Sequence, residues 1–185
     1  MSSIRNKTFY GGDDAVNNAV KLIISTLQAV NDNNENVLFD SVKEGNPTQT
    51  DDIYEQSDGV ACRVYRIPGA FTDIISADKW LFRRWIPLSI CPIFNLKVDP
   101  SKEEYVDDFR DNLRSATIRA LSQPNFNPPN SNAVTNTGGG WQFQPIAKCP
   151  EETQNAMYKF EAKALTNKSD WYTAQFTTVI LVDCR

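Results

Sequence analysis

The chain has no histidine and four cysteines. Without histidine it lacks the commonest general base and the commonest metal ligand, and neither a Ser–His–Asp nor a Cys–His arrangement can be built. Cys62, Cys91, Cys149 and Cys184 form no C-x-x-C pair, so zinc and redox readings are weak. Cys62 and Cys91 sit in apolar runs and read as buried, reduced thiols. The acid pairs Glu103/Glu104 and Asp107/Asp108 are adjacent on a predicted helix and do not face each other. Asp51, Asp52, Glu55 and Asp58 have the oxygen content for a hard cation but match no calcium-loop spacing. They read as a solvated acidic loop. Gly138-Gly139-Gly140 is followed by no Lys-Ser or Lys-Thr, so it is no phosphate loop. The sequence therefore predicts no catalytic residues, no cofactor and no metal.

One cluster suits recognition better than catalysis: Trp80, Phe82, Arg83, Arg84 and Trp85, with Trp141 as a further aromatic. Arginine and aromatics are enriched in protein interfaces and also bind single strands. The formal net charge of −4 argues against gripping a phosphate backbone. The cluster equally reads as a strand with aromatic rings in the core and arginines outside.

The elements around these residues follow from periodicity. Residues 1–12 are polar and read as an arm, with no apolar run of the signal-peptide kind. Val16, Ala19, Val20, Ile23, Ile24, Leu27 and Val30 recur at helical spacing and predict one buried face. Residues 37–43 read as a strand with Val37 and Phe39 on one face and Leu38, Asp40 and Val42 on the other. Residues 45–58 read as a long loop or a hairpin tip. Residues 60–67 are a strand candidate, with Val60, Cys62, Val64 and Arg66 on one side.

The stretch 80–96 is the most apolar, and Pro87 and Pro92 interrupt it. An odd spacing of five points their missing donors to opposite edges. This predicts a bulged strand, or one that leaves its sheet near a proline, rather than an uninterrupted central strand.

Ser101 and Glu104 make a capping box. It opens a second helix over 103–121, whose buried stripe is Val106, Phe109, Leu113, Ala116, Ala120 and Leu121. Residues 122–140 form an Asn/Pro/Gly-rich loop, and 141–146 a short strand. Tyr158, Phe160, Ala162 and Ala164 alternate with charged residues, and 171–182 follows a polar turn; together they predict a closing antiparallel hairpin. The expected fold is a single α+β domain over 1–185: an antiparallel or mixed β-sheet with two main helices packed on one face.

The order of elements resembles that of the tail terminator proteins of long-tailed bacteriophages. The correspondence runs through the helix at 15–30, the strands at 37–43 and 82–96, the helix at 103–121, a variable loop and a closing hairpin. It covers most of the chain and rests on pattern, not on a diagnostic motif. The resemblance implies a virion protein of the tail and neck region, assembled in the host cytoplasm, with no catalytic residues. It implies a homohexameric ring that caps the tail tube and joins it to the head connector. The implied partners are further copies of itself, the tail tube protein and a head-connector or neck protein, with the sheath protein as a further candidate. No membrane is involved, and DNA enters only as passing cargo. Within such a ring, Asp51, Asp52, Glu55 and Asp58 are the candidates to line an acidic channel that repels phosphates. The alternatives are a neck or head-completion adaptor and, in another class, a small acidic-pocket hydrolase or ligand-binding module.

Overall fold

The computed structural model describes residues 13–31, 35–47, 59–68, 72–75, 82–95, 103–122, 141–161 and 171–184. The element order is α1 (Asp13–Gln28), β1 (Ser41–Glu44), β2 (Val60–Arg66), β3 (Thr72–Ile75), β4 (Phe82–Asn95), α2 (Glu103–Ser122), β5 (Trp141–Gln144), α3 (Glu151–Glu161), β6 (Trp171–Thr173) and β7 (Phe176–Cys184). The strands form one mixed sheet ordered β1-β2-β4-β7-β5, with β3 and β6 each pairing with β4. The expected α+β class, with α1 and α2 on one face, holds.

β4 is the spine, and it runs unbroken through both prolines. The breaks expected in this strand lie in its neighbours. Ile67 donates its N–H to the Pro87 carbonyl (3.0 Å), and Ala174 donates to the Pro92 carbonyl (2.9 Å). An antiparallel residue directs its N–H and C=O to the same edge. Pro87 therefore turns its donorless nitrogen to the β2–β3 edge, and Pro92 turns its own to the β6–β7 edge. Those are the places where β2 gives way to β3 and β6 to β7. β6 and β7 keep a common register across the gap, from Thr173 opposite Ile93 to Phe176 opposite Ile90.

Alternation along β4 separates two cores. Ile86, Leu88, Ile90 and Phe94 face α1 and α2, together with Cys62, Val64, Phe176, Ile180 and Val182. From α1, Val16, Ala19, Val20, Ile23 and Leu27 enter this layer; Ile24 and Val30 are only partly buried against it. From α2, Val106, Leu113, Ala120 and Leu121 are buried, and the Phe109 ring tilts against Phe94 at 4.9 Å. Full burial of side chains such as Ile23 and Leu27 stabilises by about 1.5–3 kcal/mol each. Arg66 ties the layers at their edge: its Nε lies 2.7 Å from Glu44 Oε1 on β1, and its Nη2 donates to Asn17 Oδ1 on α1 at 2.7 Å.

The opposite face carries a smaller core of Ile67, Trp85, Cys149, Met157 and Val179, with Tyr65, Ile146, Phe160 and Leu181 packed against it. Its helix, α3, corrects the expected closing hairpin. Residues 151–161 are helical because Thr153, Met157 and Phe160 share a face at three- and four-residue spacing, with Thr153 and Met157 fully buried. Tyr158, expected to alternate inward, is 58% exposed. The antiparallel partner of β7 on this side is β5.

Two further expectations change near β1. β1 and β2 are parallel, so they are not the two arms of a hairpin; of the expected loop at 45–58, residues 48–58 lie outside the described residues. The strand expected at 37–43 is regular only from Ser41. Phe39 and Val42 are both buried in the same core, whereas Val37 is 59% exposed. The chain bends at Asp40, whose N–H donates to the Val60 carbonyl and whose Oδ2 accepts from the Val60 N–H, both at 2.8 Å. Residues 1–12, 123–140 and 162–170 lie outside the described residues.

Candidate functional site

The expected interface cluster is divided by the pleat of β4. Trp85 is buried to 8% exposure against Ile67, Met157 and Val179, so it belongs to the core beneath α3 and is removed from the surface candidates. Arg83 is exposed and Arg84 half-buried. Each stands opposite an acidic residue in register: Arg83 opposite Asp183 on β7, Arg84 opposite Asp73 on β3. Trp141 pairs in register with Val182, and Val182 with Arg84. One row therefore crosses the sheet from β5 to β3 as Trp141, Val182, Arg84 and Asp73. Phe82 begins the same end of β4, opposite Cys184 and Ile75. The sheet thus gathers Phe82, Arg83, Arg84 and Trp141 at one end. Trp80 and the acidic group Asp51, Asp52, Glu55 and Asp58 lie outside the described residues.

A second surface escaped the sequence reading. The last turns of α2 and the strands β5 and β7 enclose an open groove lined by Ile118, Leu121, Ser122, Phe143, Phe176 and Thr178. Ile118 is 41% exposed there. The signal for it was available: Ile118 is apolar but lies off the buried stripe of α2. The remainder of that exposed face is polar, with Asp108, Asp111, Arg114 and Arg119 toward solvent. Arg110 and Asp107 form an ion pair within the helix. Tyr105, at the helix start, is 59% exposed.

Cys62, Cys91 and Cys149 are free and buried. Burial pushes the Cys62 thiol up to about 12. Cys91 is raised well above its ordinary value, first by burial and then by proximity to Cys62, with Arg63 opposing both. Burial also raises Cys149. Thiols held protonated in this way are poor nucleophiles and poor metal ligands at neutral pH. Among the described residues, no group of three or more Cys, Asp or Glu side chains is placed to hold a metal ion, and no helix is long and apolar enough to cross a membrane.

Compared with known proteins, the chain matches no family model, no curated protein and no solved structure.

Proposed function

We propose that this chain is a tail terminator of a long-tailed bacteriophage, a structural protein whose copies close into a hexameric ring on the end of the tail tube. The observation that carries the reading is the order and layering of its elements. A first helix leads into β1 and β2, a long apolar β4 follows, and a second helix returns over the same face before the closing strand β7. That is the order on which the resemblance rests, apart from the closing hairpin, whose expected first strand is helical here. α3 is an addition to it, inserted between β5 and β6 on the opposite face. In a ring, the sheet end bearing Phe82, Arg83, Arg84 and Trp141 is the leading candidate for contact with the tube or the next copy.

The test is the assembly state and the choice of neighbour. Native mass measurement should give six copies of the 20.9 kDa chain, about 125 kDa in a closed ring, alone or on tail tubes. Purified tubes should retain the protein at their ends. Retention by the connector and not by tubes would favour the neck-adaptor reading. A stable monomer that binds neither would overturn both.

A further inference from the structure

The two faces of the sheet differ in how they treat buried polar groups. On the α1–α2 side, the buried Thr117 hydroxyl donates to the Leu113 carbonyl at 2.7 Å. On the other face, the buried polar atoms without a hydrogen-bond partner among the described residues include Trp85 Nε1, Ser89 Oγ, Asn95 Oδ1 and Gln175 Nε2. Leaving such an atom unsatisfied costs about 1–3 kcal/mol, and native proteins rarely do so.

Two of the four are neighbours. Ser89 is fully buried and stands opposite Tyr65 on one side and Thr177 on the other. Gln175 lies in the short gap between β6 and β7, where the shared register places it beside Cys91. Ser89 and Gln175 are therefore diagonal partners on adjacent strands, about 7–8 Å apart at the backbone, a separation that the long glutamine side chain can largely span. Around them are the buried Ala61, Cys91 and Ile93 and the buried Arg63, directly opposite Cys91. A buried hydroxyl and a buried amide nitrogen on one face of the sheet present what an internal water needs, two or more polar partners.

We propose that Ser89 and Gln175 form a binding site for an ordered internal water on the face of the sheet opposite α1 and α2. The water accepts a hydrogen bond from the Gln175 amide and exchanges one with the Ser89 hydroxyl. The gap between β6 and β7, imposed by Pro92, is what brings Gln175 to this position.

Ser89→Ala removes the hydroxyl with little change of volume. With a bound water, the variant leaves that water short of a partner, and the melting temperature should fall by about 2–4 °C. Gln175→Met, which keeps the side-chain length, should do the same. A crystal structure at a resolution that shows solvent should place a water within hydrogen-bond reach of both groups in the parent protein and none there in Ser89→Ala. An unchanged or raised melting temperature in Ser89→Ala would show that the hydroxyl has no such partner. Parent density with Ser89 bonded to a protein atom, or with no water at this point, would equally overturn the site.

Discussion

Pro87 and Pro92 lie five residues apart in one continuous strand and turn their donorless nitrogens to opposite edges of it. Each still accepts a hydrogen bond, Pro87 from Ile67 and Pro92 from Ala174. The long spine survives because its neighbours yield: each adjoining strand breaks where it would meet a missing donor.

Restoring one donor tests this. In Pro92→Ala the new amide faces the Ala174 carbonyl and should be protected from hydrogen exchange, joining β6 to β7. Stability should shift by no more than about 1 kcal/mol, because the added hydrogen bond offsets the lost proline restraint on the unfolded chain. Exchange of the residue-92 amide at the rate of an exposed peptide would contradict the arrangement.

Asp40 and Gly59 are coupled by space. A Cβ on Gly59 would come within 2.7 Å of Asp40 Oδ2, the atom that accepts the Val60 N–H. Gly59→Ala should therefore destabilise by about 1–3 kcal/mol, and the loss should shrink in an Asp40→Ala background. A double-mutant cycle by urea unfolding measures the coupling; additive losses would show that the two residues do not interact.

Within α1, depth should rank the cost of truncation. Ile23 is fully buried, and Ile23→Ala should cost about 2–5 kcal/mol. Ile24, half-buried, should cost clearly less on truncation to alanine. Equal losses on chemical denaturation would mean that the helix is rotated from the orientation described.

The buried thiols predict an alkaline limb. Burial pushes the Cys62 thiol up to about 12 in the fold, against an ordinary value of 9.0. The unfolded state therefore loses its proton first. The contribution is fully present below pH 9 and is lost as pH rises from there toward 12, by about 1.4 kcal/mol per pH unit per thiol. Cys62→Ala should flatten the alkaline limb of stability against pH. In the native protein at pH 8, Cys62 and Cys91 should resist iodoacetamide until unfolding, and rapid alkylation of either would contradict their burial.

Much of the first layer was legible because its signals are local and repeat. The α1 stripe and the alternation of Phe176, Ile180 and Val182 each follow one period and lead to one core. The edge assignment of the two prolines followed from parity alone. α3 was hidden by competing periods. Tyr158, Phe160, Ala162 and Ala164 alternate as a strand would, while the helical stripe contains a polar member, Thr153, that hydrophobicity does not flag. The break at Asp40 was equally invisible, since a side chain capping a residue twenty positions away is a tertiary event. The interface cluster was half legible. Phe82, Arg83, Arg84 and Trp85 share one strand, but only the cross-strand register shows that Trp141 joins Arg84, and only the packing that Trp85 turns into the core beneath α3.

The central claim, that this protein terminates tail growth, is tested most directly by electron microscopy of particles assembled without it. The account predicts tails of uncontrolled length that fail to join heads, with uniform length restored on adding the purified chain. Tails of normal, uniform length in its absence would contradict the terminator reading.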